Sequence, residues 1–152
     1  MCFVFFYTQA DVRYEAERRE NLEGKPIREQ ILLFYTWYGH YLDSFGVEFV
    51  TNFFSNNNPA MNTHIYNNPV ILITDNLIMD ALQKGYVLRK GQTVREISND
   101  VCVIVKGVIF DWCVRHGEFS IAEEIHKLLN KCLDGIFCKN GRRRYCNFCK
   151  YQ

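Results

Sequence analysis

The sequence predicts an all-α fold, a helical bundle, and three observations carry that prediction. Apolar residues recur at spacings of three and four along most of the chain, the spacing that aligns one face of a helix. Two S/T-x-x-E motifs, Thr93 to Glu96 and Ser120 to Glu123, mark helix starts, because each hydroxyl accepts from a backbone N–H while the glutamate reaches back. Asn68-Pro69 marks another, with asparagine as N-cap and proline at the first helical position. At 152 residues, 48% hydrophobic and 23% charged, the chain has the apolar surface to fold around a core, which excludes general disorder.

The elements follow in order. Residues 11–23, DVRYEAERRENLE, carry dense charge of both signs, as an exposed helix supported by i,i+4 pairs does. Gly24 suits its C-terminal turn and Pro26 stops it from running on. Residues 27–45 form the next helix, with Ile31, Phe34, Tyr35, Tyr38, Tyr41, Leu42 and Phe45 along one stripe and Trp37 largely opposite. Gly46 marks a bend, after which Val47, Phe49, Val50, Phe53 and Phe54 resume the pattern. Residues 55–69, SNNNPAMNTHIYNNP, lose all periodicity and read as a long loop. A helix then runs over residues 70–86 through Ile71, Leu72, Leu77, Ile78, Ala81 and Leu82, ending near Gly85.

The Thr93 box opens the next helix, which continues through Ile97, Val101, Ile104, Val105, Val108 and Trp112. Its middle, VCVIVKGVIF, has strand propensity, but the cap and the spacing both predict a helix, and burial outweighs propensity. After Gly117 the Ser120 box opens the last helix, with Ile121, Ile125, Leu128, Cys132 and Ile136 on one face and Leu129 and Leu133 beside them. It fades near Phe137. Residues 1–137 are thus expected to form one helical domain and residues 138–152 a basic extension without an apolar face, expected to stay disordered.

Between Val101 and Val114 only Lys106, Gly107 and Asp111 are not apolar. A surface helix needs one apolar stripe, and this one has more. Val101, Ile104, Val105, Val108 and Trp112 suit packing within the domain. Cys102, Ile109 and Cys113 then need further helices of the same chain or a second copy. With Ile121, Ile125, Leu128, Leu129 and Cys132 on the following helix, they make a candidate two-fold, four-helix interface. Gly107 leaves room for a neighbouring helix to approach.

The junction GVIFDWCVRHGEFSIAEEI, residues 107–125, resembles that of the last two helices in tetracycline-repressor (TetR/AcrR) type transcriptional regulators. An apolar helix there runs through Gly107 and the pair Asp111-Trp112 into a Gly117-Glu118-Phe119-Ser120-Ile121 turn. Residues 21–54 are similar to the middle helices of their C-terminal domain, and the resemblance spans about residues 10–137. It implies an all-helical homodimer that binds a small effector and controls a DNA-binding helix-turn-helix. No compact three-helix segment precedes residue 11, so contact with DNA is expected only through a helix-turn-helix module absent from this sequence. No cofactor and no enzymatic activity are expected.

An effector pocket in such a domain lies between its helices, and Phe34, Trp37, Tyr38, His40, Tyr41, Phe49, Phe53 and Trp112 are its candidate lining. Large apolar walls with tyrosine hydroxyls and an imidazole suit a flat or hydrophobic ligand. Ordinary core packing is the competing account of each aromatic. His40, His64, His116 and Asp43 form no recognisable triad, and there is no phosphate loop or zinc-protease motif.

The net charge of +1 hides an asymmetry, since Lys139, Arg142, Arg143, Arg144 and Lys150 fall in the last fourteen residues with no acid among them. The remainder is mildly acidic and gives no electrostatic argument for nucleic acid. In the tail, Cys146 and Cys149 have the spacing of one zinc knuckle, to which Cys138 or Cys132 adds ligands. One knuckle is half of the usual structural site, so a metal is not the leading expectation. Arg142 to Arg144 with Tyr145 and Phe148 make the alternative, a stand-alone helical interaction protein whose tail binds zinc or nucleic acid. MCFVFFY at residues 1–7 is too short and uncharged for a secretory signal, and no run has membrane-spanning length. Seven cysteines, three in apolar helical patterns, fit a reducing cytoplasm.

Overall fold

The computed structural model describes residues 21–55, 69–88 and 91–133. Among them every regular element is a helix: α1 (Ile27–Asp43), α2 (Val47–Phe53), α3 (Pro69–Gln83), α4 (Val94–Val114) and α5 (Ile121–Leu133). The all-α expectation holds, including VCVIVKGVIF, which lies wholly within α4. Most of the segment at residues 11–23, the Asn68 cap, the loop at 56–68 and the tail from 134 lie outside the described residues. Leu22, which falls in the charged N-terminal segment, is buried against the core.

α1 and α5 form the most extensive helix pair. They run antiparallel, as three contacts along their length show. Arg28 Nη2 at the start of α1 donates to the Asn130 carbonyl and to Asn130 Oδ1 near the end of α5, both at 2.8 Å. Midway, Thr36 Oγ1 lies 3.2 Å from His126 Nδ1. Thr36 spends its only proton on the Leu32 carbonyl at 2.7 Å, so His126 Nδ1–H is the donor. At the far end Gly39 meets Ala122 so closely that a Cβ on Gly39 would stand 2.7 Å from the Ala122 Cα. Ile31 and Leu42 of α1 and Ile125, Leu129 and Leu133 of α5 are fully enclosed. Each such side chain contributes about 1.5–3 kcal/mol by leaving water.

α3 packs on α1 and α4, and α4 also touches α2 and α5, which makes α4 the most connected helix. The α1–α3 seam carries a buried polar pair, Tyr35 Oη and Thr74 Oγ1 at 2.8 Å. Thr74 donates to the Val70 carbonyl, so the phenol supplies the proton between the two. The α3–α4 seam is tied by Arg95 and Asp75 at 2.7 Å.

Helix ends explain where the sequence placed boundaries well and where it did not. The Thr93 box is complete: the Glu96 N–H donates to Thr93 Oγ1 at 3.2 Å, and the Thr93 N–H to Glu96 Oε2 at 2.7 Å. Ser120 Oγ accepts from the Glu123 N–H at 3.3 Å. α1 stops at Asp43 rather than Phe45, because the chain turns into Gly46 at φ +80°. α3 stops at Gln83 rather than at residue 86. There the Tyr86 N–H returns to the Ala81 carbonyl across Gly85 in the left-handed region, a Schellman closure that needs no further helical residues.

α4 closes in the same way, with Gly117 N–H bonded to the Trp112 carbonyl and His116 N–H to the Cys113 carbonyl. The first left-handed residue is His116, at φ +52°, followed by Gly117 at +79°. Trp112 fastens the turn from inside: it is buried, and its Nε1–H donates to the Phe119 carbonyl at 2.9 Å.

Candidate functional site

α1 presents an aromatic ladder because aromatics recur at three- and four-residue steps from Phe34 onward. Trp37 stacks on Phe34 (6.2 Å between centroids, 21°) and on Tyr41 (5.5 Å, 13°). The ladder crosses the α1–α2 bend without interruption. Tyr41 meets Phe45 edge-on at 5.0 Å, Phe45 stacks on Phe49 at 5.2 Å, and Phe49 on Phe53 at 6.1 Å. Both ends of the run, Phe34 and Phe53, are buried, while Trp37 and Phe49 are half-buried and Phe45 is exposed. Rings fixed on both sides present a rigid π surface at little entropic cost.

Beside the upper part of this ladder lies an open cleft of about 400 Å³. Phe34, Trp37 and Leu33 form its α1 wall, Leu22 its opposite apolar wall, and Lys25, Thr36 and His40 stand at its polar rim. Lys25 Nζ is held 3.0 Å from Glu29 Oε1 by an i,i+4 pair. His126 reaches the rim through Thr36. The cleft therefore combines a stacked indole with a cation, a hydroxyl and an imidazole, the elements that orient a flat, partly polar molecule.

Of the candidate lining residues, Phe34, Trp37 and His40 come together in this cleft. Tyr41 backs Trp37 from within the core, and Phe49 and Phe53 extend the ladder away from the cleft onto α2. Tyr38 is buried in the core, and Trp112 belongs to the α4–α5 turn. Leu22, Lys25, Leu33 and Thr36 escaped the sequence reading, which followed aromatic side chains and ignored the smaller groups between them.

The candidate interface residues also separate. Cys102, Ile109, Ile121, Ile125 and Leu129 are buried inside the single chain, Cys113 and Leu128 are half-buried, and Cys132 is exposed. The helices of the same chain cover what periodicity left open. The open apolar surface of α4 lies elsewhere, at Val103 (66% exposed), Phe110 (71%) and Val114 (57%). These positions share one face with Gly107, at steps of four, three and four. A Cβ on Gly107 would meet nothing within 4 Å. The outward side of α5 is instead polar, with Glu123, His126, Lys127, Asn130 and Lys131 exposed.

Chemistry in the buried seams is subdued. Burial pushes the Tyr35 phenol far above its ordinary range, with the nearby Cys102 adding to the effect and the Thr74 hydrogen bond opposing it. Burial likewise raises the Cys102 thiol, against a weaker pull from Lys106, so at neutral pH this cysteine is a packing group and not a nucleophile. Among the described residues no three His, Cys, Asp or Glu side chains gather as a metal site. Cys138, Cys146 and Cys149, the arginines of the tail and His64 lie outside those residues. Among the described residues no helix is long and apolar enough to cross a membrane.

No protein-family model, curated protein or solved structure matches the chain.

Proposed function

We propose that the chain is the effector-binding and self-association domain of a TetR-like transcriptional regulator, acting in the cytoplasm on a flat, aromatic or hydrophobic ligand. The observation that carries this reading is the cleft of about 400 Å³ walled by Phe34 and Trp37, with Tyr41 behind the indole, and rimmed by Lys25, Thr36 and His40. A flat ligand lies in the cleft against Phe34 and the exposed edge of Trp37, and the rim groups bind its polar edge. In this reading DNA is contacted only through a helix-turn-helix module outside this sequence, and effector binding shifts the populations of two dimer geometries.

Self-association is assigned to the open face of α4. A glycine in mid-helix costs about 1 kcal/mol relative to alanine. Gly39 is explained by Ala122, but among the described residues nothing stands within 4 Å of where a Cβ on Gly107 would lie. A second α4 crossing antiparallel at Gly107 gives that glycine a packing role and covers Val103, Phe110 and Val114. It also brings Asp100 of one copy, seven residues before the crossing, toward Arg115 of the other, eight residues after it.

The reading is tested by titrating a flat aromatic probe, 2-naphthoate, against intrinsic tryptophan fluorescence. Wild type should show saturable quenching of Trp37, and calorimetry should show the affinity weakened about ten-fold in Trp37→Ala, the scale of one aromatic contact. Equal affinity in that variant removes the cleft as the effector site. Sedimentation of wild type against Phe110→Asp tests the second half, with a dimer and a monomer expected.

A further inference from the structure

A second cavity lies between the end of α2 and the C-terminal half of α4. This groove has a volume of about 540 Å³ and shares no residue with the α1 cleft. Its floor is Ile109 and Cys113, and its walls are Phe54 on the α2 side and Phe110 and Val114 on α4. Thr51, Ser55 and Lys106 supply its polar edge. None of its lining residues is acidic, and Lys106 has no carboxylate partner among the described residues. The groove thus pairs a long apolar surface with one uncompensated ammonium and two hydroxyls.

We infer that this groove is a binding site for an amphipathic carboxylate, with Lys106 holding the carboxylate and Phe54, Ile109, Phe110 and Val114 enclosing the hydrocarbon chain. The volume falls within the range of small-molecule sites, roughly 300–1,000 Å³. A charge-assisted bond from Lys106 fixes the headgroup, and the apolar wall favours a chain over a compact anion such as acetate or phosphate. Phe110 and Val114 also belong to the face assigned to self-association. Val103 does not line the groove, so Val103→Asp separates the two roles.

The test uses the full chain in a Val103→Asp background with decanoate below its micellar range. Two readouts are followed: affinity by calorimetry, and the rate of Cys113 alkylation by a maleimide, located by peptide mass. Cys113 is half-buried and lies in the groove floor, which makes its protection site-specific. Decanoate should bind and slow Cys113 alkylation several-fold. Lys106→Gln, an exposed change with no packing cost, should weaken decanoate about ten-fold while leaving methyl decanoate unchanged. Thr51→Trp, which fills the groove from an exposed position, should abolish binding of both with helicity intact by circular dichroism. Binding that leaves Cys113 unprotected, or that Lys106→Gln and Thr51→Trp both leave unaltered, overturns the assignment. Failure here leaves the Trp37 quenching experiment untouched, because the two sites share no residue.

Discussion

Gly39 and Gly107 are both mid-helix glycines, and their surroundings give them opposite signs. At Gly39 the added methyl of alanine would stand 2.7 Å from backbone of α5, so one of the two tightest helices must shift. Gly39→Ala is expected to destabilise the fold by roughly 1–3 kcal/mol in urea unfolding, despite the better helix propensity of alanine. Gly107→Ala meets nothing and should stabilise the isolated chain by about 1 kcal/mol, while weakening self-association at high concentration. The sequence reading placed the close helix approach at Gly107. Periodicity identifies a face but not its neighbour, and Gly39 lay among aromatics that drew attention to ring contacts. Tyr35 gives the pH counterpart at this scale. Its folded phenol ionises only well above the ordinary value of about 10, so its contribution is complete below that pH and is lost as pH rises further. Alkaline titration of thermal stability should fall more steeply in wild type than in Tyr35→Phe.

Individual elements were legible where their signals are local. The Thr93 box needs only two residues three apart, Thr93 and Glu96, and it appears in the structure with both reciprocal bonds formed. Thr93→Ala should cost about 1 kcal/mol by melting the first turn of α4. Glu96 is held below the ordinary carboxylate range by the Thr93 backbone N–H first and the Thr93 hydroxyl second. A lowered folded value stabilises at neutral pH and is lost as pH falls through it. The Thr93→Ala difference in melting temperature should therefore shrink on acidification. The far end of α4 was less legible: Gly117 was the expected turn residue, yet His116 takes the first left-handed position. A side chain is strained there, and His116→Gly should raise stability by up to about 1 kcal/mol in thermal unfolding. The β-branched run in α4 is helical because Val101, Val105 and Val108 find buried neighbours at helical spacing.

For the whole molecule, fold class and helix order were readable from caps and spacing, whereas the assignment of surfaces was not. α4 is apolar almost all round because three other helices pack on it, which accounts for Cys102 and Ile109 without a partner. On α4 the stripe through Val103, Phe110 and Val114 stays exposed, and it is the face to which self-association is assigned. The α1 cleft and that stripe share no residue, so a regulator needs the bundle to couple them. Coupling is reciprocal: if assembly changes ligand affinity by some factor, ligand changes the dimer dissociation constant by the same factor. The expected outcome is a shift of about five-fold or more in that constant, measured by sedimentation with and without saturating 2-naphthoate. The affinity of monomeric Phe110→Asp for the probe should differ from that of the wild-type dimer by the same factor. Identical dimer constants with and without a ligand bound at Trp37 would disconnect cleft from assembly, and the chain would then be a binding module without a switch.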